Sequence, residues 1–171
     1  MYVPSSKSRA AFKSLEITVQ AVVPCPVRKQ TWLRWFSGWL GLLGYETAEL
    51  TLRLTSDDEI QALNRQFRSL DEVTDVLSFP AEPDLSTGGG FPPYLGDIVI
   101  SVPEATRQSA KFGHSIDVEL CWLAVHGLLH LLGWDHPDDD RWLQMVMKQA
   151  DLLKGVNVDY DWTRVYSSIL D

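Results

Sequence analysis

The chain contains four histidines, and three of them, His126, His130 and His136, fall in one short stretch reading H-G-L-L-H-L-L-G-W-D-H. On a helix, residues four apart lie about one turn from each other on the same face, so His126 and His130 offer two imidazoles to one point. Gly133 supplies a position that can take positive φ and turn the chain back, which brings His136 toward the same point. Three imidazoles suit a divalent transition metal, zinc first, and leave a fourth tetrahedral position free for water. The competing reading is a closed metal site that only holds structure together.

The spacing also matches the peptidase pattern H-E-x-x-H-x-x-G-x-x-H, in which the glutamate is the general base. That position is Gly127 here, and glycine cannot take a proton. Asp135, beside the third histidine, is a candidate to accept an imidazole N–H or to assist a bound water. Pro137 with Asp138, Asp139 and Asp140 reads as a helix start, proline at its first position and carboxylates at the positive end of the dipole. Met145, Val146 and Leu152 follow as core residues of that helix.

A second constellation runs from Asn64 to Pro80, N-R-Q-F-R-S-L-D-E-V-T-D-V-L-S-F-P. Arg65 and Arg68 fall where a helix gives way to a loop, a place from which a guanidinium can hold a phosphate bidentately. A surface salt bridge, with Asp71 as the partner, explains them equally well.

These residues need elements to hold them. Leu15–Val23 is β-branched and partly alternating, a strand stopped by Pro24 and Pro26. From Val27 to Leu43 apolar residues recur at three- and four-residue steps, predicting a helix that ends at Gly44. Its Trp32, Trp35 and Trp39 fit a buried face better than a platform for stacking bases. Glu46–Thr55 alternates with the period of a half-buried strand, Leu50, Leu52 and Leu54 inward. Ser56 and Glu59 form a capping box that opens a helix through Ile60, Leu63 and Phe67. Asp75–Phe79 and Gly96–Ser101 are strands, joined by an exposed, flexible loop, Pro80–Tyr94, that contains Gly88–Gly90. A helix over Pro103–Phe112 precedes His114 and Ser115, which can cap a buried helix over Ile116–Leu132. The expected architecture is α+β: a mixed four-stranded sheet with packed helices, one domain over residues 14–171 after a flexible N-terminus, 1–13.

Composition narrows the function. With 171 residues, 45% hydrophobic and 22% charged, the chain is too apolar to stay disordered. Fifteen Lys and Arg against 23 Asp and Glu give a net charge of −8, the wrong sign for coating nucleic acid through bulk charge. An RNA partner would need a local strip, for which Arg65, Arg68, Arg107 and Lys111 are candidates. Cys25 and Cys121 lack any disulfide or zinc spacing and read as two buried free thiols in a reducing compartment. The first residues carry no apolar signal core, and the apolar run Leu120–Trp134 is broken by His126 and His130 short of a spanning length. A cytoplasmic protein with no membrane partner is expected.

Taken together, His126–His136, Asn64–Pro80 and Leu95-Gly-Asp-Ile98 resemble the YbeY family, the bacterial endoribonucleases of ribosomal RNA maturation. The likeness spans most of residues 46–153, and the histidine motif with glycine in the glutamate position is its most specific part. The resemblance implies one zinc ion per chain on His126, His130 and His136, with Arg68 engaging RNA. It implies that Ser78–Pro80 and Asp97 shape the cleft, leaves His114 without a role, and admits Asp135 as a proton carrier. The implied activity is single-strand-specific cleavage in maturation of the small-subunit ribosomal RNA 3′ end, with single-stranded RNA and the ribosome as partners and no DNA. Two other classes stay open: a ribosome-assembly factor without catalysis, and a metzincin-like hydrolase of another substrate.

Overall fold

A computed structural model describes residues 14–82 and 92–163. In chain order the elements are β1 (Ser14–Ala21), α1 (Lys29–Leu42), β2 (Thr47–Thr55), α2 (Asp57–Arg68), β3 (Val76–Pro80), β4 (Tyr94–Ser101), α3 (Val102–Phe112), α4 (Ile116–Leu131) and α5 (Asp139–Gly155). The strands form one sheet in the order β1-β2-β4-β3. The β1–β2 and β2–β4 pairs are parallel and β3–β4 is antiparallel, so the sheet is mixed and the fold is the α+β arrangement expected.

Period-two alternation decides what each face of the sheet meets. Leu50, Leu52 and Leu54 of β2 and Ile98 and Ile100 of β4 are buried together with residues from α1, α4 and α5. The opposite face carries Thr51, Arg53, Asp97 and Val99, and there a smaller cluster of Ile60, Leu77 and Val99 seats α2. The tryptophans of α1 belong to the core: Trp32 and Trp39 are fully buried and Trp35 nearly so. The Trp39 indole N–H donates to the Leu152 carbonyl at 3.1 Å, tying α1 to α5.

Caps set several boundaries. Ser56, Ser101, Ser115 and Asp138 each accept a backbone N–H three residues on, at the starts of α2, α3, α4 and α5. Pro137 is therefore not the first residue of a helix as expected: Asp138 is the cap and α5 begins at Asp139, because the Asp138 carboxylate takes the Arg141 N–H. The first helix likewise starts at Lys29 rather than Val27, and the first strand ends at Ala21. β4 begins two residues earlier than expected, at Tyr94. Cys121 is buried and free, whereas Cys25 is only half-buried, since it lies in the turn ahead of α1. Residues 1–13 and the glycine run Gly88–Gly90 lie outside the described residues.

Candidate metal centre

Helix α4 is apolar on nearly every side, with Leu120, Ala124, Val125, Leu128 and Leu129 all fully buried. It packs beneath β3 and β4, so closely at Gly127 that a side chain has no room. A Cβ there would stand 2.7 Å from Ile98 Cγ2 and 3.1 Å from Ser78 Oγ. The Ser78 hydroxyl donates to the Gly127 carbonyl at 3.2 Å, locking the edge strand to the helix. The peptidase glutamate has no room at this position, so its loss is a packing requirement of the fold as well as a chemical change.

That packing leaves His126 and His130 on the rim of the helix, half-buried. Gly133 takes φ +84, and the chain returns so that His136 faces them. The donor nitrogens of the three imidazoles lie within 4.8 Å of one another. Ring centroids are 4.6 Å apart for His126–His130, 5.5 Å for His126–His136 and 5.2 Å for His130–His136. The His126 and His130 Nε2 atoms are 3.1 Å apart. Two imidazole nitrogens bound tetrahedrally to zinc at ~2.0–2.1 Å stand ~3.3 Å apart, so the donor set fits such an ion.

The surroundings fix which nitrogen is offered. Gln149 of α5 is 1% exposed and its Oε1 lies 3.1 Å from His126 Nδ1. An Nδ1–H donated to that oxygen leaves the Nε2 lone pair pointing into the cluster, the arrangement that orients a metal-ligating histidine. Burial, with the charges of the other two histidines, pushes His126 down to about 4, so its imidazole is neutral at physiological pH. His130 is lowered by burial first, then by His136, with Arg68 adding in the same direction. The charge of Arg68, the last residue of α2, is thus felt at the cluster.

Asp135 is exposed and its Oδ1 accepts the His136 backbone N–H at 2.9 Å. It holds the third histidine through the main chain, with its charge favouring protonation of His130, and is not bonded to an imidazole. Three of the four cations of the expected strip have local partners. Arg107 is tied to Asp57 at 2.7 Å and to Glu104, Arg65 lies 3.8 Å from Asp71, and Lys111 sits over the Phe112 ring. Acidic neighbours claim Arg65 and Arg107, while Arg68 has no ion pair among the described residues. Ser78 and Phe79 flank the sheet edge beside α4, and Asp97 faces the other side of the sheet.

Two buried polar residues were not singled out from the sequence. Gln149 interrupts the apolar stripe of Met145, Val146, Leu152 and Leu153, and that interruption is the available signal. Glu119, 2% exposed within α4, pairs with His114 Nε2, and burial raises it to about 7. His114 therefore sits between Phe112 and Tyr160 and does not join the cluster.

Fold and site together define a single-domain α+β protein with a three-histidine site able to hold a metal ion at the rim of a buried helix. The profile of the family described as Endoribonuclease YbeY matches residues 23–157. Among curated relatives, the endoribonuclease YbeY of Gloeobacter violaceus is 57% identical over 156 residues, covering 90% of this chain and 80% of its own. That of Synechococcus sp. (strain JA-2-3B'a(2-13)) is 49% identical, covering 85% and 92%. A solution structure of a Thermotoga maritima protein aligns with TM-score 0.56 over 90% of this chain and 93% of its own, and at 24% identity it shows the shared fold. The chain belongs to the YbeY endoribonuclease family, which makes it a nuclease-type hydrolase with RNA as its substrate class. No described helix is long and apolar enough to cross a membrane.

Proposed function

We propose that the protein is a zinc-dependent, single-strand-specific endoribonuclease that acts in the cytoplasm on ribosomal RNA, trimming the 3′ end of the small-subunit RNA during ribosome biogenesis. The observation that supports this best is the convergence of three imidazoles, one of them fixed in tautomer by a buried amide, with the charge of Arg68, which has no ion pair among the described residues, felt at His130.

His126, His130 and His136 would hold one zinc ion. A zinc ion on three imidazoles lowers the pKa of water to about 7 and supplies a nucleophile for phosphodiester cleavage at neutral pH. Burial keeps His126 neutral, and Gln149 aims it by accepting its Nδ1–H. Arg68, charged at every working pH, receives the scissile phosphate and stabilises negative charge that develops on its oxygens. Asp135, exposed beside the third histidine, would carry a proton to or from solvent. The absence of a side chain at Gly127 removes the peptidase base, and the contact with Ile98 leaves no space to restore it, which speaks against a peptide substrate. Net charge of −8 keeps nonspecific RNA binding weak, so selection rests on single-strandedness and ribosomal context.

The test is cleavage of a single-stranded ribosomal RNA fragment by the purified protein beside folded His130→Ala and Arg68→Ala variants. Cleavage by the wild type alone supports the reading, and the product ends show whether water or the ribose 2′-hydroxyl attacks. Equal cleavage by all three identifies a contaminant, and none by any favours an assembly factor.

A further inference from the structure

The outer face of the sheet holds a cavity of about 420 Å³ that the cluster does not use. This lies within the ~300–1,000 Å³ of small-ligand sites. Its floor is two rows of cross-strand neighbours, Gln20–Arg53–Val99 and Thr51–Asp97–Phe79, and its wall is the Glu59, Leu63, Phe67 stripe of α2. The inner end is internally satisfied. Arg53 gives Nε and Nη2 to Glu59 at 3.0 and 2.7 Å and Nη1 to Gln20 at 3.0 Å, while Glu59 also takes the Thr55 hydroxyl.

The outer end is different. Phe67, 58% exposed, meets Phe79 edge to face at 5.1 Å, leaving aromatic surface open to the cavity. Next to Phe79 in the same row, Asp97 Oδ1 accepts the Tyr94 hydroxyl at 2.8 Å, and that hydroxyl lies 3.3 Å from Thr51 Oγ1. Burial first, then Asp97, raises the Tyr94 phenol, so it remains a donor. With the Thr51 proton turned to Tyr94, this chain of three groups presents acceptors only: Asp97 Oδ2 and the Thr51 lone pairs. A carboxylate here repels phosphate and admits a planar group that brings adjacent N–H donors. Among the four RNA bases only guanine has two neighbouring donors, N1–H and N2–H, on its pairing edge.

We infer that this cavity is a guanine subsite for the single-stranded RNA substrate, the base stacked on Phe67 with Phe79 at its side and its pairing edge on Asp97 and Thr51. Phe67 is followed directly by Arg68, the last residue of α2 and the one assigned to the phosphate, so base and phosphate would be held by consecutive residues. The inference rests on RNA being the substrate, and unpaired bases are what an RNA reader can splay onto aromatic rings.

The experiment titrates the full-length protein with guanosine and uridine 5′-monophosphate, following NMR shifts of Thr51, Leu63 and Val99. Guanosine monophosphate should bind roughly tenfold or more tightly than the uridine nucleotide, as a bidentate edge contact gives. Asp97→Asn should abolish that ratio. Phe67→Ala, at an exposed position that does not endanger folding, should weaken the guanosine nucleotide by roughly tenfold. Equal response to the two nucleotides, no response at these residues, or an unchanged ratio in Asp97→Asn overturns the subsite. Mononucleotide binding needs neither metal nor cleavage, so failure here leaves the nuclease reading standing, and loss of His130-dependent cleavage leaves the subsite standing.

Discussion

Adding one methyl group at Gly127 tests how the fold positions its histidines. Alanine is favoured over glycine within a helix by ~1 kcal/mol, so propensity alone stabilises Gly127→Ala. The new Cβ, however, would meet Ile98 Cγ2 at 2.7 Å and Ser78 Oγ at 3.1 Å. Ile98 is fully buried and cannot swing aside, so α4 must move away from β4. Overpacking of this kind costs ~1–3 kcal/mol, and stretching the Ser78–Gly127 hydrogen bond adds up to ~1 kcal/mol. The net expectation is a loss of about 1–2 kcal/mol. Gly41 is the control: in α1, exposed, with nothing within 4 Å of its would-be Cβ, so Gly41→Ala should gain about 0.5 kcal/mol. The two variants should then differ by ~2 kcal/mol, or roughly 4–8 °C in Tm for a chain of this size. Thermal unfolding followed by circular dichroism, with chelator present to exclude metal linkage, makes the comparison. Because His126 is the next residue, Gly127→Ala should also weaken zinc binding while Gly41→Ala does not. A Gly127→Ala protein that melts at or above Gly41→Ala would refute the close-packing argument.

Other expectations follow from the same geometry. Arg68→Ala should lower kcat/KM for RNA by roughly 100-fold, the scale of losing one charged transition-state contact, while Arg65→Ala, whose guanidinium faces Asp71, should stay within about twofold; equal losses would contradict the assignment. Gln149→Leu should weaken zinc ~10–100-fold by freeing the His126 ring, measured by competition with a chromogenic chelator, and an unchanged affinity would show the amide is not needed. Trp39→Phe should cost ~1 kcal/mol in denaturant unfolding by removing the indole bond to the Leu152 carbonyl. For the metal-free protein, His126 falls from 6.5 in the unfolded chain to about 4 in the fold, so the unfolded state binds more protons between those values. Its contribution is full above pH ~6.5 and is lost as pH falls toward about 4. Glu119, raised from 4.5 to about 7, acts in the opposite sense, giving stability at low pH that is lost as pH rises through about 7. The His126 effect is therefore read as a difference: between about pH 7.5 and about pH 5 the wild type should lose more stability than folded His126→Gln, and parallel curves would refute it.

What the sequence shows of this molecule depends on whether a residue's role is local. The period-two leucines of β2, the capping serines and the i, i+4 histidines act within one element, and each stands where its pattern indicates. Gly133 and its positive φ belong to the same kind of signal. Gln149 and Glu119 are different, since their roles come from partners on other elements or around a helix start, brought together only by packing. The ion pairs of the expected basic strip show the same limit: Asp57 and Arg107 are 50 residues apart in sequence and paired in space. Gly127 was legible as a missing base but not as a contact with β4, because nothing in a helical sequence says which strand its narrowest face will meet. The misplaced start of α5 shows a competition that composition leaves open, in which the Asp138 carboxylate, and not Pro137, sets the boundary.

The central claim is that one metal ion on the three histidines drives RNA cleavage, and its most direct test is a zinc titration of the metal-free protein with cleavage of single-stranded RNA as the readout. Activity should rise linearly to one equivalent of zinc per chain and then level off, with no rise in His130→Ala. Full activity before any zinc is added, or a rise that proceeds unchanged in His130→Ala, would contradict it.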